Sequence, residues 1–188
     1  MSVLQLCLLS IVVLSSEVNG QTTATWVTTM LEQHNEARAN VSRCIVPGLP
    51  PPKSLKPLIW DATLQRQAQL HASKCTLDEA PMNERTTTRF SSVGQAATTG
   101  NVAKNVFARW FSEYKRLDFN TNYCNRCPCR DFRMALSDRV THVGCAVGNC
   151  RDNPVSSANF VTICFYAPYQ PDKDRPIYEI GTEEDCIP

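Results

Sequence analysis

The sequence predicts an α+β domain stapled by disulfides. Apolar residues recur at helical spacing in three segments of the first two thirds. Two β-branched or apolar runs lie in the last third, and Cys residues occur in both parts. Helices first and a hairpin last give segregated layers rather than alternating βαβ units.

Residues 1–20 read as a secretory signal. Val3 to Leu14 is mostly apolar, interrupted by Gln5, and shorter than the ~20 residues that a bilayer span needs. Val18 and Gly20 are small enough for the cleavage positions, which sets the mature start at Gln21. No Lys or Arg precedes the apolar run, which departs from the usual pattern. A first helix is expected over 25–41, with Trp26, Met30, His34, Ala37 and Val41 on one stripe. Pro47, Pro50, Pro51, Pro52 and Pro57 then impose an extended linker. Asp61 is a good N-cap for a helix over 62–75, whose stripe is Leu64, Ala68, His71 and Cys75. Residues 76–89 form a loop and 90–97 a short strand. A third helix, 102–117, carries the aromatic face Val106, Phe107, Trp110, Phe111 and Tyr114.

The Cys-rich run Cys124-Asn-Arg-Cys127-Pro-Cys129 follows, then a short helix over 130–138. His142–Val147 and Phe160–Tyr166 read as a hairpin. From Pro168 the chain is Pro-rich and acidic, an irregular tail held by Cys186. Cys75 and Cys145 can staple helix to sheet, while Cys150 and Cys164 can close the hairpin. Each such bridge would add ~2–4 kcal/mol.

Composition narrows the function. The chain has 188 residues, 19 Lys+Arg against 18 Asp+Glu, ten Cys and 43% hydrophobic residues. The near-neutral balance argues against a strongly basic nucleic-acid binder and a polyacidic disordered chain. No segment after residue 20 is apolar enough to span a membrane. Loss of residues 1–20 removes Cys7 and leaves nine Cys, an odd number, so one is free or pairs with another molecule. Asn40-Val41-Ser42 is a glycosylation acceptor that fits a secreted surface.

The sequence carries no visible catalytic set. His34, His71 and His142 stand on different elements, and no HExxH, G-x-S-x-G or Walker motif occurs. The Cys124–Cys129 run lacks the second ligand pair of a zinc finger, and secretion favours disulfides there. His71 fits a satisfied core histidine, Glu113 a solvated helix-face carboxylate, and the aromatic helix face a core face.

Several motifs, in this order, resemble the CAP (SCP/TAPS) superfamily of cysteine-rich secretory proteins, insect antigen 5 and plant pathogenesis-related proteins. They are His34-Asn35-x-x-Arg38; Leu58-Ile59-Trp60-Asp61-x-x-Leu64 with Ala68 and Cys75; and Trp110-x-x-Glu113. The closing set is Val143-Gly144-Cys145-Ala146, then Cys150, then Phe160-Val161-x-x-Cys164-x-Tyr166-x-Pro168. The match covers about 26–169. The extra Cys at 124–129 and the Pro-rich insertion resemble venom allergen-like proteins of parasitic worms, schistosomes included.

The resemblance implies a three-layer α-β-α sandwich over 21–169 with a small antiparallel sheet, leaving 170–188 as the tail. It implies the bridges Cys75–Cys145 and Cys150–Cys164, and a cleft with two His and two Glu that binds a divalent metal in some relatives. Carried over, that cleft is degenerate. Its first His falls near Glu79, its first Glu at Gln95 in Val93-Gly94-Gln95, and its second His at Asp131, while Glu113 is retained. Glu113 and Asp131 offer hard oxygen only, compatible with weak Mg or Ca contact but not with a His-based zinc site.

Family members are also proposed to bind lipids. The resemblance places a fatty acid against Val106, Phe107, Trp110 and Tyr114, and a sterol at the loop carrying Phe119 and Tyr123. The expected function is therefore a secreted, non-enzymatic lipid binder with no cofactor. The alternative is an extracellular interaction module engaging host proteins, without lipid cargo. A metal-dependent hydrolase ranks last, because Gln95 and Asp131 replace groups that its chemistry needs.

Overall fold

The computed structural model describes residues 24–125, 129–154, 156–172 and 175–188; the expected signal 1–20 and Cys127 lie outside them. The first helix, α1, runs over 24–42 and buries Met30, His34, Ala37, Arg38 and Val41. Asn35 fastens the Pro-rich linker to it: its amide donates to Leu58 O at 3.1 Å, and its Oδ1 accepts from Leu58 N at 2.7 Å. Strand β1 (Ile59–Trp60) leads into α2 (Ala62–Ala72), whose N-terminus Asp61 caps by accepting from Thr63 N and Leu64 N at 2.8 and 2.9 Å. Helix α2 stops before the predicted 75. There Ser73 Oγ bonds back to Leu70 O, and Cys75 takes the left-handed φ of 57° that turns the chain away.

A one-turn helix, α3 (Met82–Arg85), precedes β2 (Gly94–Thr99). Thr87 and Phe90 bond each other across a turn, so the strand starts later than residue 90. The predicted helix over 102–117 is α4 (Ala103–Phe111) continued by a 3-10 turn, Ser112–Arg116. Ser112 Oγ donates to Arg109 O at the junction. Short strands β3 (Leu117–Asp118) and β4 (Tyr123–Cys124) pair with each other, and α5 (Arg130–Leu136) follows. The hairpin strands are β5 (His142–Asn149) and β6 (Phe160–Ala167).

The main sheet has the order β1-β5-β6-β2, antiparallel throughout except for the parallel β1–β5 pair. Strand parity then sorts the side chains into two cores. Val161, Ile163 and Phe165 of β6 face α2, with Leu64, Ala68 and Ala72. Cys164 and Tyr166 face the opposite side, where Met30, Phe107, Trp110 and Phe132 of α1, α4 and α5 pack. The result is the expected three-layer sandwich. Helix α2 lies directly on β5: a Cβ on Gly144 would meet Gln65 N at 2.2 Å, and one on Gly148 would meet Ala72 O at 2.0 Å.

The same parity corrects the expected bridges, Cys75–Cys145 and Cys150–Cys164. The structure pairs Cys75 with Cys150 and Cys145 with Cys164. Cys145 and Cys164 are direct cross-strand partners, 4.0 Å apart at Cα, and both face away from α2. Cys145 is therefore on the wrong side of the sheet to reach the end of α2. Cys150 shares the face of Ala146 and meets Cys75 at a Cα separation of 5.6 Å. Cys124 pairs with Cys129 and Cys44 with Cys186.

The tail has little regular structure beyond the 3-10 turn Glu183–Asp185, yet it packs on the body. Ile177 and Tyr178 are buried, Ile180 bridges to Pro52, and Ile187 N donates to Ser42 O.

Candidate functional site

Helix α4 turns its aromatic face inward. Val106, Phe107 and Trp110 are 1, 3 and 2% exposed and fill the core, with the Phe107 ring 4.4 Å from that of His34. This corrects their expected role as walls of a fatty-acid slot: packed side chains occupy that space. Tyr114, half-buried, joins Phe111 and Phe132 in an aromatic cluster. The two residues expected in a sterol loop also part company. Phe119 is buried against Tyr178, whereas Tyr123 is 66% exposed.

Of the expected cleft residues, the structure brings Glu113 and Asp131 together and places Gln95 elsewhere. Gln95 lies opposite Phe165 on the α2 face of the sheet. Its amide clamps the preceding loop: Oε1 accepts from Ala80 N, and Nε2 donates to Asp78 O, each at 2.8 Å. This corrects its assignment to the cleft. Glu113 Oε2 accepts from Phe132 N at 3.0 Å, so the carboxylate caps the start of α5 from outside that helix. Burial raises the pKa of Glu113 despite these bonds. Asp131, next to it, is pushed up to about 7 by burial and then by the Glu113 charge.

Beside them lies a buried neutral pair. His34 Nδ1 must donate to Met30 O, which can only accept; burial holds the imidazole pKa down at about 4. Its Nε2 is then left to accept from Tyr166 OH at 2.7 Å. No imidazole is therefore available to join the two carboxylates. Among the described residues, no group of three or more His, Cys, Asp and Glu is placed to hold a metal ion. The family's His-based metal site does not fit this donor set.

Among the described residues, an open groove of about 790 Å³ lies between α3, the start of β2, the β3–β4 turn, α5 and residues 169–172 and 175–177. This is within the ~300–1,000 Å³ typical of small-molecule sites. Met82, Val93, Tyr123, Tyr169, Pro176 and Ile177 supply apolar wall, and five arginines line it: Arg85, Arg130, Arg133, Arg139 and Arg175. Glu79 bridges Arg85 and Arg130 at 2.5 and 2.8 Å. Burial raises the Glu79 pKa, but the two guanidinium groups outweigh it and hold it below the ordinary carboxylate value. Arg175 grips Asp138 with both nitrogens, at 2.9 and 3.2 Å.

Sequence reasoning missed these arginines. The available signal was Arg130-x-x-Arg133, two cations on one helical face beside the residues already singled out. Asn40 is half-buried near the end of α1, where its Oδ1 accepts from Arg43 at 3.5 Å.

Comparison with known proteins places this geometry. The model of the CAP, or cysteine-rich secretory protein, family matches residues 31–166. GLIPR1-like protein 1 of Bos taurus is 31% identical over 145 residues, covering 73% of this chain and 56% of that protein. Peptidase inhibitor 15 of Gallus gallus is 26% identical over 156 residues, covering 74% of the chain and 56% of its own length. The chain thus spans little more than half the length of these relatives. Among solved structures, Schistosoma mansoni venom allergen-like protein 4 superposes with a TM-score of 0.75 at 28% identity. That match covers 86% of this chain and 98% of the other.

Proposed function

Because the chain belongs to the CAP family of cysteine-rich secretory proteins, we propose that it works outside the cell as a lipid-binding protein, with its cargo in the groove beside α5. The observation that carries this reading is the groove itself: a space of about 790 Å³ with largely apolar walls and an exposed Tyr123 at its lip. Each CH2 removed from water contributes about 0.8 kcal/mol, so an acyl chain or sterol ring system needs few polar contacts to bind there. No enzymatic step is proposed: Glu113 Oε2 is engaged as the acceptor of Phe132 N at the start of α5.

Mass spectrometry of lipids that co-purify with the folded protein, followed by direct titration with a fatty acid and a sterol, tests the proposal. A bound lipid whose affinity drops in Tyr123→Ala supports it. If wild type carries no lipid and binds neither ligand, the reading fails. The second reading, a protein-interaction module, draws support from the name of its relative peptidase inhibitor 15. A lipid-free protein that stoichiometrically captures one extracellular protein would favour it.

A further inference from the structure

We propose that the groove is selective for an anionic amphiphile, a lipid whose carboxylate or phosphate head docks on Arg133 and Arg130 while its tail lies along the apolar wall. The inference rests on the lipid reading and adds the charge of the head. Its basis is the pairing of the groove's cations. Arg85 and Arg130 share one carboxylate, Glu79. Arg175 is matched by Asp138, and Arg139 stands 3.5 Å from Asp172. Arg133 is different: Nη1 donates to Asn122 Oδ1 at 2.7 Å and Nη2 to Asn122 O at 2.6 Å, both neutral acceptors. Among the described residues no carboxylate is bonded to it.

Asn122 holds that grip from the left-handed region, φ 52°, so backbone and side-chain oxygens converge on one guanidinium. The arrangement orients Arg133 without neutralising it. Three residues earlier on α5, Arg130 presents its own guanidinium, 42% exposed, on the same helical face. A planar, permanently charged fork is suited to carboxylate and phosphate oxygens. The groove therefore joins apolar wall to surplus positive charge, the complement of a charged head with a long tail. A neutral sterol would leave that charge unmatched.

The test compares palmitate, hexadecanol and inorganic phosphate in direct titrations of the wild-type protein at neutral pH. Hydrogen bonds to ionised groups are roughly twice as strong as neutral ones, so palmitate should bind at least about tenfold more tightly than the alcohol. Raising the salt concentration should narrow the gap. Arg133→Gln should remove most of the difference, weakening palmitate far more than hexadecanol, and Arg133→Lys should restore part of it. The wild-type comparison stands even if a variant misfolds. Equal affinity for acid and alcohol would overturn the charge selectivity and leave the lipid reading intact. Binding of neither would remove both. Phosphate competing as well as palmitate would show an anion site indifferent to the tail, and would overturn the proposal as stated.

Discussion

Arg38 offers the sharpest test of how the site is held. It is 1% exposed, and it donates Nε to Lys56 O at 2.6 Å and Nη1 to Ala135 O and Ser137 O at 2.9 and 3.1 Å. One cation thus ties α1 to the linker and to the end of α5, the helix that carries Asp131 and Arg133. Consider Arg38→Met, similar in length and apolar. Two terms oppose each other. Burial lowers the Arg38 pKa to about 10, a penalty of about 3 kcal/mol that Met relieves. Three carbonyls lose their donor, at about 1–3 kcal/mol each where water cannot enter. The carbonyls should win, with a net loss of roughly 3 kcal/mol. Urea unfolding followed by Trp fluorescence should show a lower midpoint with an unchanged slope. Arg38→Lys, which lacks the fork, should recover only part of the loss. A Met variant as stable as wild type would refute the reasoning, because charge burial would then outweigh the three bonds.

Non-reducing peptide mapping should recover Cys75–Cys150 and Cys145–Cys164. Loop-closure entropy assigns about 4 kcal/mol to the first, at a separation of 75, and about 3 kcal/mol to the second, at a separation of 19, so the paired Cys→Ser variants should rank in that order. The pH profile should show two opposed contributions. Asp131, raised to about 7, stabilises the fold below about pH 4, and that stability is lost as pH rises through 7. His34, depressed to about 4, stabilises it above about pH 6.5, and that stability is lost as pH falls through 4. Between these limits Asp131→Asn should therefore gain more stability with rising pH than wild type does. Parallel profiles for the two proteins would contradict the assignment. Gly148→Ala should cost about 3 kcal/mol, since the added Cβ would lie 2.0 Å from a backbone oxygen that cannot swing aside; a melting temperature equal to wild type would count against the α2–β5 contact.

The layers were legible because parity and period survive in the sequence: Leu64, Ala68 and His71 mark one helix face, and the hairpin runs mark β5 and β6. The bridges were harder. Spacing shows that Cys145 and Cys150 are near each other in sequence, but only their strand parity says which face each occupies. Gly144 and Gly148 were the clue, since glycines four apart on a strand lie on one face and leave room for a helix. Gln95 was misplaced for the same reason, one residue from Gly94 and therefore on the opposite side of the sheet. The groove was invisible because its lining comes from segments far apart along the chain, including residues 169–172 and 175–177, which read in the sequence as part of an irregular tail. Phe107 and Trp110 were ambiguous because core and ligand pocket demand the same residue types.

The Cys44–Cys186 bond joins residues 142 positions apart, and the other three described bridges all fall between them. Covalently, the molecule is nearly a closed ring with smaller rings inside it. A protease that severs one exposed loop, such as the stretch at 151–154 between the hairpin strands, leaves both pieces attached. The severed ends then stay within reach of each other, and the sandwich can persist with a nick in it. For a protein proposed to work outside the cell, durability against proteolysis would then depend on the number of cuts rather than on the first one. On a gel run without reductant, a singly nicked molecule would migrate as one species and would fall into two only when thiol is added.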